Sequence, residues 1–120
     1  MKMQSLRGMK DIFREEISKY MKVVNIATRL ANINNYKHLI TPIMESSEVF
    51  TKTLGQDSDI VSKEMYTFTD RSDKSVTLRP EFTASVARCF IQHGFNELPV
   101  KFFSYGPVFR NERPQNLRFR

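Results

Sequence analysis

The sequence predicts an α+β fold in which helices are mixed with antiparallel strands. Two patterns predict it. Apolar residues recur at three- and four-residue intervals between residues 12 and 33, as they do on one face of an amphipathic helix. Between residues 64 and 80 they alternate with polar residues on both sides of a turn, as in a β-hairpin. The chain has 120 residues, of which 40% are hydrophobic and 27% charged, and this composition suits one domain with an apolar core.

The first predicted element is a helix over residues 12–33. Asp11 is the expected N-cap, and the acidic residues Glu15 and Glu16 favour a helix start. The "NINNY" segment ends the helix, and "HLITPI" then predicts a strand that ends at Pro42. The predicted apolar stripe of the helix consists of Phe13, Ile17, Met21, Val24, Thr28 and Ala31, widened by Ile26, Leu30 and Ile33.

The middle of the chain predicts a short helix, a hairpin and a further helix. "SSEVFTKTLG" has Ser46 or Ser47 as its candidate N-cap and Gly55 as its stop. "EMYTFTDRSDKSVTLRP" alternates before and after the polar turn "DRSDK". Pro80 opens the next helix and Gly94 closes it. One face of that helix is predicted to contain Phe82, Val86, Cys89 and Phe90.

The last predicted strand is "VKFFSYGPVFR", residues 100–110. Its odd-numbered face is aromatic, and its other face carries Ser104 and Gly106 before Arg110. Small side chains beside a cation leave room for an anionic ligand, and a guanidinium can bind phosphate with two parallel hydrogen bonds. The alternative is that Arg110 is a solvent-facing residue at the end of a strand.

Charge and cysteine content restrict the partners and the compartment. Nineteen Lys and Arg residues against thirteen Asp and Glu give a net charge of +6, which favours polyanionic partners such as nucleic acid or nucleotide phosphates. No apolar run has the length of a membrane helix or a signal peptide. The single cysteine, Cys89, and the lack of Cys/His spacing for zinc indicate a cytoplasmic protein without a metal site of its own.

Five segments occur in an order that resembles a known family. They are "LRGMKD", "TPIMESSEVF", "GQDSDIVSKEMYTFTDR", "TLRPEFTASVAR" and "GPVFRNERPQ". In this order they resemble the N-terminal part of the catalytic domain of histidyl-tRNA synthetase, a class II aminoacyl-tRNA synthetase. The resemblance extends from Leu6 to Arg120, so residues 1–120 are expected to form the part of that domain that contains motifs 1 and 2.

The resemblance implies a reaction and its partners. The family uses ATP, with Mg²⁺, to convert histidine to histidyl-adenylate, and then transfers histidine to the 3′ end of its tRNA. Class II enzymes of this kind are expected to be homodimers, and the segment that ends in "TPIMES" resembles motif 1, which builds the dimer interface.

The resemblance also implies which residues form the site. Arg110 matches the motif 2 arginine, held against the α-phosphate and the histidine carboxylate. Arg118 matches a loop cation on the outer phosphates of ATP. Glu112 resembles a loop residue near adenine, and Arg113 one near the tRNA acceptor end.

A second group of implied site residues, Glu81, Phe82 and Thr83, matches the stretch that contacts histidine. Glu81 would accept hydrogen bonds from the α-ammonium group. The alternative role of Glu81 is to favour the N-terminus of its helix. Arg79 is expected to brace this turn rather than to contact substrate.

The sequence departs from the family pattern at three places. Phe82 stands where many members have Gly, and Leu117 occupies a loop site that is more often Gly. Motif 3, a histidine-specific segment and the anticodon-binding domain are absent, which predicts an incomplete sheet. The 120-residue chain alone is therefore expected to lack aminoacylation activity.

Two alternative functions are compatible with the same residues. One is the synthetase-like regulatory subunit of ATP phosphoribosyltransferase, which binds histidine without aminoacylating. The other is a non-catalytic RNA-binding module, whose salt-dependent binding would persist after Arg110 and Glu81 are changed. The Glu of "LRPE" and the complete "FRNERPQ" favour the ligase.

Overall fold

The computed structural model describes residues 2–55, 58, 61 and 64–111, and it confirms an α+β fold. The described residues divide into two compact units. The first contains those before Ile40 together with Pro99–Tyr105, and the second contains those of Ile40–Leu98 and Gly106–Glu112. The elements are, in chain order, α1 (Glu15–Ile33), β1 (Lys37–His38), β2 (Met44–Ser46), α2 (Ser47–Leu54), β3 (Tyr66–Thr69), β4 (Ser75–Leu78), α3 (Thr83–His93) and β5 (Phe102–Phe103).

Helix α1 of the first unit ends where predicted but begins three residues later than expected. Arg14, with a φ of 55°, occupies the N-cap position, and its side chain makes no cap bond, so Asp11 as the N-cap was wrong. The positive φ of Arg14 lies outside the right-handed helical region, so the helix does not extend to residues before Glu15. Among the predicted stripe, only Val24 and Ala31 are buried. No helix among the described residues, α1 included, is long and apolar enough to cross a membrane.

The strands of the first unit are shorter than the sequence predicted. β1 pairs with β5 in parallel over two residues each, so the predicted strands 38–42 and 100–110 were both wrong in extent. The ladder includes the bond from the Leu39 N–H to the Phe103 carbonyl. The Leu39 carbonyl instead accepts a hydrogen bond of 2.7 Å from the Ser104 hydroxyl. A side chain thereby satisfies the backbone group that would have extended the strand pair.

The second unit contains a three-stranded antiparallel sheet in the order β2-β4-β3. The predicted hairpin is confirmed, with Tyr66 opposite Leu78 and Phe68 opposite Val76. Its turn is closed by the Asp70 carboxylate, which accepts the N–H groups of Ser72 and Lys74. Strand β2 was not predicted, because three residues are too few to show an alternation.

Helices α2 and α3 pack against each other in the second unit. Gly55 and Gly94 end them as predicted, with φ values of 85° and 57° that suit glycine. Helix α3 begins at Thr83, three residues after Pro80. Its predicted apolar face was largely wrong, because the buried residues are Ala84, Ser85 and Cys89. Small side chains allow α3 to pack closely on α2, whose Phe50 is fully buried.

Candidate functional site

The candidate site lies in the second unit, where residues 79–83 meet residues 106–111. The Phe109 N–H donates to the Arg79 carbonyl over 2.9 Å. The Arg110 side chain donates from Nε to the Pro80 carbonyl over 3.0 Å. Within the described part of the chain, this is the one hydrogen bond of the Arg110 guanidinium, so its Nη groups are available to bind an anion.

The Arg79 side chain joins three segments of the second unit. Its guanidinium donates from Nε to the Pro107 carbonyl over 2.9 Å and from Nη1 to the Thr41 carbonyl over 3.1 Å. The Arg79 N–H also donates to the Ile43 carbonyl. Arg79 is 4% exposed, so these bonds replace those that water would make. They confirm that Arg79 braces the turn, as the sequence predicted.

The space beside Gly106 is taken by protein side chains. A Cβ built on Gly106 would lie 2.7 Å from Nη2 of Arg79 and 4.0 Å from Cζ of Phe82. The Arg79 guanidinium in turn lies 4.6 Å from the centroid of the Phe82 ring, a cation–π distance. The prediction that Gly106 leaves room for an anionic ligand was therefore wrong, because Arg79 and Phe82 fill that room.

Gly106→Ala is expected to lower the free energy of unfolding by about 3 kcal/mol, from a backbone that alanine rarely adopts and a steric clash. The clash is not easily relieved, because Arg79 is held by Pro107, Thr41 and the Phe82 ring. Urea unfolding of the 120-residue chain measures the loss. Gly55→Ala is the matched control, since Gly55 also has a positive φ but has nothing within 4 Å. Equal losses in the two variants would contradict the close approach at Gly106.

Glu81 caps the helix that follows it. Its carboxylate accepts the Thr83 N–H over 2.5 Å and the Ala84 N–H over 2.9 Å. These N–H groups belong to the first turn of α3, where a negative charge is favourable. Each carboxylate oxygen has a second lone pair, so the cap leaves Glu81 able to accept bonds from a cationic ligand.

The charges of the site are held apart. No described ion pair joins Arg110 and Glu81, although Arg110 is bonded to the residue that precedes Glu81. Burial lowers the pKa of the Arg79 guanidinium, and the nearby Glu45 carboxylate opposes this shift. Glu45 itself is paired with Arg88, whose Nη2 lies 2.9 Å from Oε2. Arg79 remains protonated at neutral pH, because an arginine starts from a very high pKa.

The structure brings together one part of the predicted site. Arg110, Glu81, Phe82 and Thr83 all lie at this turn, whereas Glu112, Arg113 and Arg118 lie outside the described residues. Sequence reasoning missed the Thr41 and Pro107 carbonyls, since a backbone acceptor carries no residue-type signal. In the described ranges, no group of three or more His, Cys, Asp or Glu side chains is placed to hold a metal ion.

The sequence of this chain is similar to those of known tRNA ligases. The family model described as histidyl-tRNA synthetase matches residues 8–120. A histidine–tRNA ligase from Rickettsia bellii is 47% identical over 120 residues, a match that covers 99% of this chain and 29% of the relative. The chain thus spans about 29% of the length of the curated relatives it matches.

Solved structures share the fold. The apo histidyl-tRNA synthetase of Staphylococcus aureus superimposes with a TM-score of 0.77 at 35% identity, over 98% of this chain and 31% of that one. A Bacillus halodurans protein described as an ATP phosphoribosyltransferase regulatory subunit/histidyl-tRNA synthetase gives 0.75 at 24% identity, over 94% of this chain and 28% of that one. The second likeness shows the fold alone.

Proposed function

Because the chain belongs to the histidyl-tRNA synthetase family, we propose that it forms the N-terminal part of a catalytic domain that joins histidine to its tRNA. The reaction would use ATP as its Mg²⁺ complex and take place in the cytoplasm. The other ATP-binding groups would come from the part of the domain that the relatives have beyond this match. We also propose that the complete enzyme is a homodimer.

One observation carries the proposal: an arginine and a carboxylate are fixed at the same turn without neutralising each other. The Arg110 side chain is bonded to the carbonyl of Pro80. Glu81 is the next residue after Pro80, and its carboxylate is bonded to the first turn of α3. An amino acid is a zwitterion that needs a cation for its carboxylate and an anion for its ammonium group. Arg110 and Glu81 supply these two charges, each in a charge-assisted hydrogen bond.

The first chemical step needs no nucleophile from the protein. A carboxylate oxygen of histidine attacks the α-phosphorus of ATP, the bond from that phosphorus to the bridging oxygen breaks, and pyrophosphate leaves with the electron pair. Negative charge accumulates on the oxygens of the α-phosphate during this exchange. The Nη groups of Arg110 would donate to those oxygens and hold the two anions in line, so catalysis would consist of positioning and charge stabilisation.

The remaining predicted residues keep their proposed roles. Arg118 would bind the outer phosphates of ATP and Glu112 would lie near adenine, while Arg113 would contact the tRNA acceptor end. Thr83, at the first turn of α3, and Phe82 would border the histidine side chain. The Phe82 ring already packs on Arg79, so its effect on histidine would be to limit the space at this edge of the site.

The proposal is tested in a hybrid ligase. In this hybrid, residues 1–120 replace the matching 120-residue segment of the Rickettsia bellii ligase. We expect histidine-dependent exchange of pyrophosphate into ATP within about 10²-fold of the unmodified Rickettsia enzyme, since a misplacement of site groups by about 1 Å costs up to that order. Isotope exchange with and without histidine measures this.

The controls separate the alternatives. The 120-residue chain alone is expected to give no exchange. A folded hybrid that binds histidine but exchanges no pyrophosphate would favour the regulatory-subunit alternative and contradict a ligase. Binding of RNA that is unchanged when both Arg110 and Glu81 are replaced, without exchange activity, would favour the RNA-binding alternative.

A further inference from the structure

The buried Arg79 guanidinium is connected to both sides of the candidate site. On one side it holds the Pro107 carbonyl through Nε, three residues before Arg110. On the other side its guanidinium lies over the Phe82 ring, next to Glu81. Arg79 is 4% exposed, so a ligand does not reach it. The Glu45 carboxylate offsets the cost of this burial only in part, because Glu45 is paired with Arg88 in the described structure.

The backbone around Arg79 continues this connection. The Arg79 carbonyl accepts the Phe109 N–H, and the next carbonyl, that of Pro80, accepts Nε of Arg110. Three of the four residues from Pro107 to Arg110 are thus bonded to Arg79 or Pro80. Gly106 permits this approach, since a Cβ there would collide with Nη2 of Arg79.

A purely local brace would not need these contacts on both sides. The Nη1 bond to Thr41 already fixes the guanidinium to the end of the segment before β2. The further Nε bond and the ring contact use the remaining edge and the flat face of the same group, which only arginine provides. A lysine would keep the charge but could neither donate along two edges nor present a planar face.

We propose that Arg79 is a positioning residue, which sets the Arg110 guanidinium against the Glu81 turn through Pro107 and Phe82 without contacting the ligand. The consequence for activity rests on the proposed function, whereas the consequence for Arg110 itself does not.

The structural consequence is measured in the 120-residue chain by ¹⁵N NMR. The Nε–H signal of Arg110 is assigned by its disappearance in Arg110→Lys, and its exchange with solvent is then measured. Arg79→Met and Arg79→Lys are expected to speed this exchange by about tenfold, because the bond to Pro80 opens more often. Arg71→Met, at an exposed arginine of the hairpin turn, is the matched control and leaves the rate unchanged. Unchanged exchange in a folded Arg79→Lys chain overturns the proposal.

The functional consequence is measured in the hybrid ligase by a double-mutant cycle. Arg79→Lys is expected to lower kcat for pyrophosphate exchange by about 30-fold in the unsubstituted hybrid, the order expected for a misplaced group. In the Arg110→Lys background the same change should cost less than about threefold, because residues that act as a unit are not additive. Losses that multiply independently overturn the proposal. An inactive unsubstituted hybrid would contradict the proposed function, and the NMR measurement would then decide the inference.

Discussion

Arg110→Gln in the hybrid ligase is expected to lower kcat/KM for pyrophosphate exchange by about 10³-fold, the order seen when a charge-stabilising donor is removed. Glutamine can still donate a hydrogen bond to the Pro80 carbonyl, so the turn should remain intact. It cannot supply a positive charge or two parallel bonds to the α-phosphate oxygens. The loss should appear mainly in kcat, because the negative charge that Arg110 meets grows in the transition state. Steady-state exchange kinetics with varied histidine and ATP measure both constants.

Two variants calibrate this result. Arg71→Gln removes an equal charge from an exposed turn and should leave kcat/KM unchanged. Arg110→Lys keeps the charge but cannot donate two parallel hydrogen bonds, so its activity should lie between those of Arg110→Gln and the unsubstituted hybrid. If Arg110→Gln exchanges pyrophosphate at the unsubstituted rate, Arg110 is a solvent-facing arginine without a role in the reaction.

The parts of the fold that could be predicted are those with a strong local signal. The β3–β4 hairpin alternates over four residues on each side, and Gly55 and Gly94 mark helix ends whose positive φ favours glycine. The two-residue strands β1 and β5 have no such signal. Their limits depend on the hydrogen bond from the Ser104 hydroxyl to the Leu39 carbonyl, which joins two residues that are far apart in the sequence. A pattern along the chain cannot predict that competition.

In the candidate site, too, some features could be predicted from the sequence and others could not. Arg110 and Glu81 could be singled out by residue type and by the family resemblance, and the structure brings their segments together. The group that lies beside Gly106 could not be predicted correctly, because a glycine in the sequence does not indicate which side chain or ligand occupies the space next to it. Here the room is occupied by Arg79, whose acceptors are the backbone carbonyls of Pro107 and Thr41. The contact of Phe82 could not be predicted either, because its ring packs on the same Arg79 guanidinium.

Glu81→Gln in the hybrid ligase is expected to raise the KM for histidine by about 10²-fold, the loss of one charge-assisted bond to the α-ammonium group. The same change should lower the free energy of unfolding by only about 1 kcal/mol, the usual size of a capping effect. Glutamine keeps one oxygen that can accept the Thr83 or the Ala84 N–H, whereas the carboxylate accepts both. Exchange kinetics and urea unfolding of the same variant therefore separate the two roles of Glu81.

Gly94→Ala is the control that isolates helix stability. It weakens the other end of α3, where Gly94 has a φ of 57° that suits glycine, and it leaves the Glu81 carboxylate and both of its N–H partners unchanged. If Glu81 serves histidine, Gly94→Ala should affect stability about as much as Glu81→Gln and the KM for histidine far less. If Glu81 is only the cap of α3, both variants should leave that KM unchanged. The carboxylate would then stabilise the helix that supports the site, and the ammonium group of histidine would require a different anion.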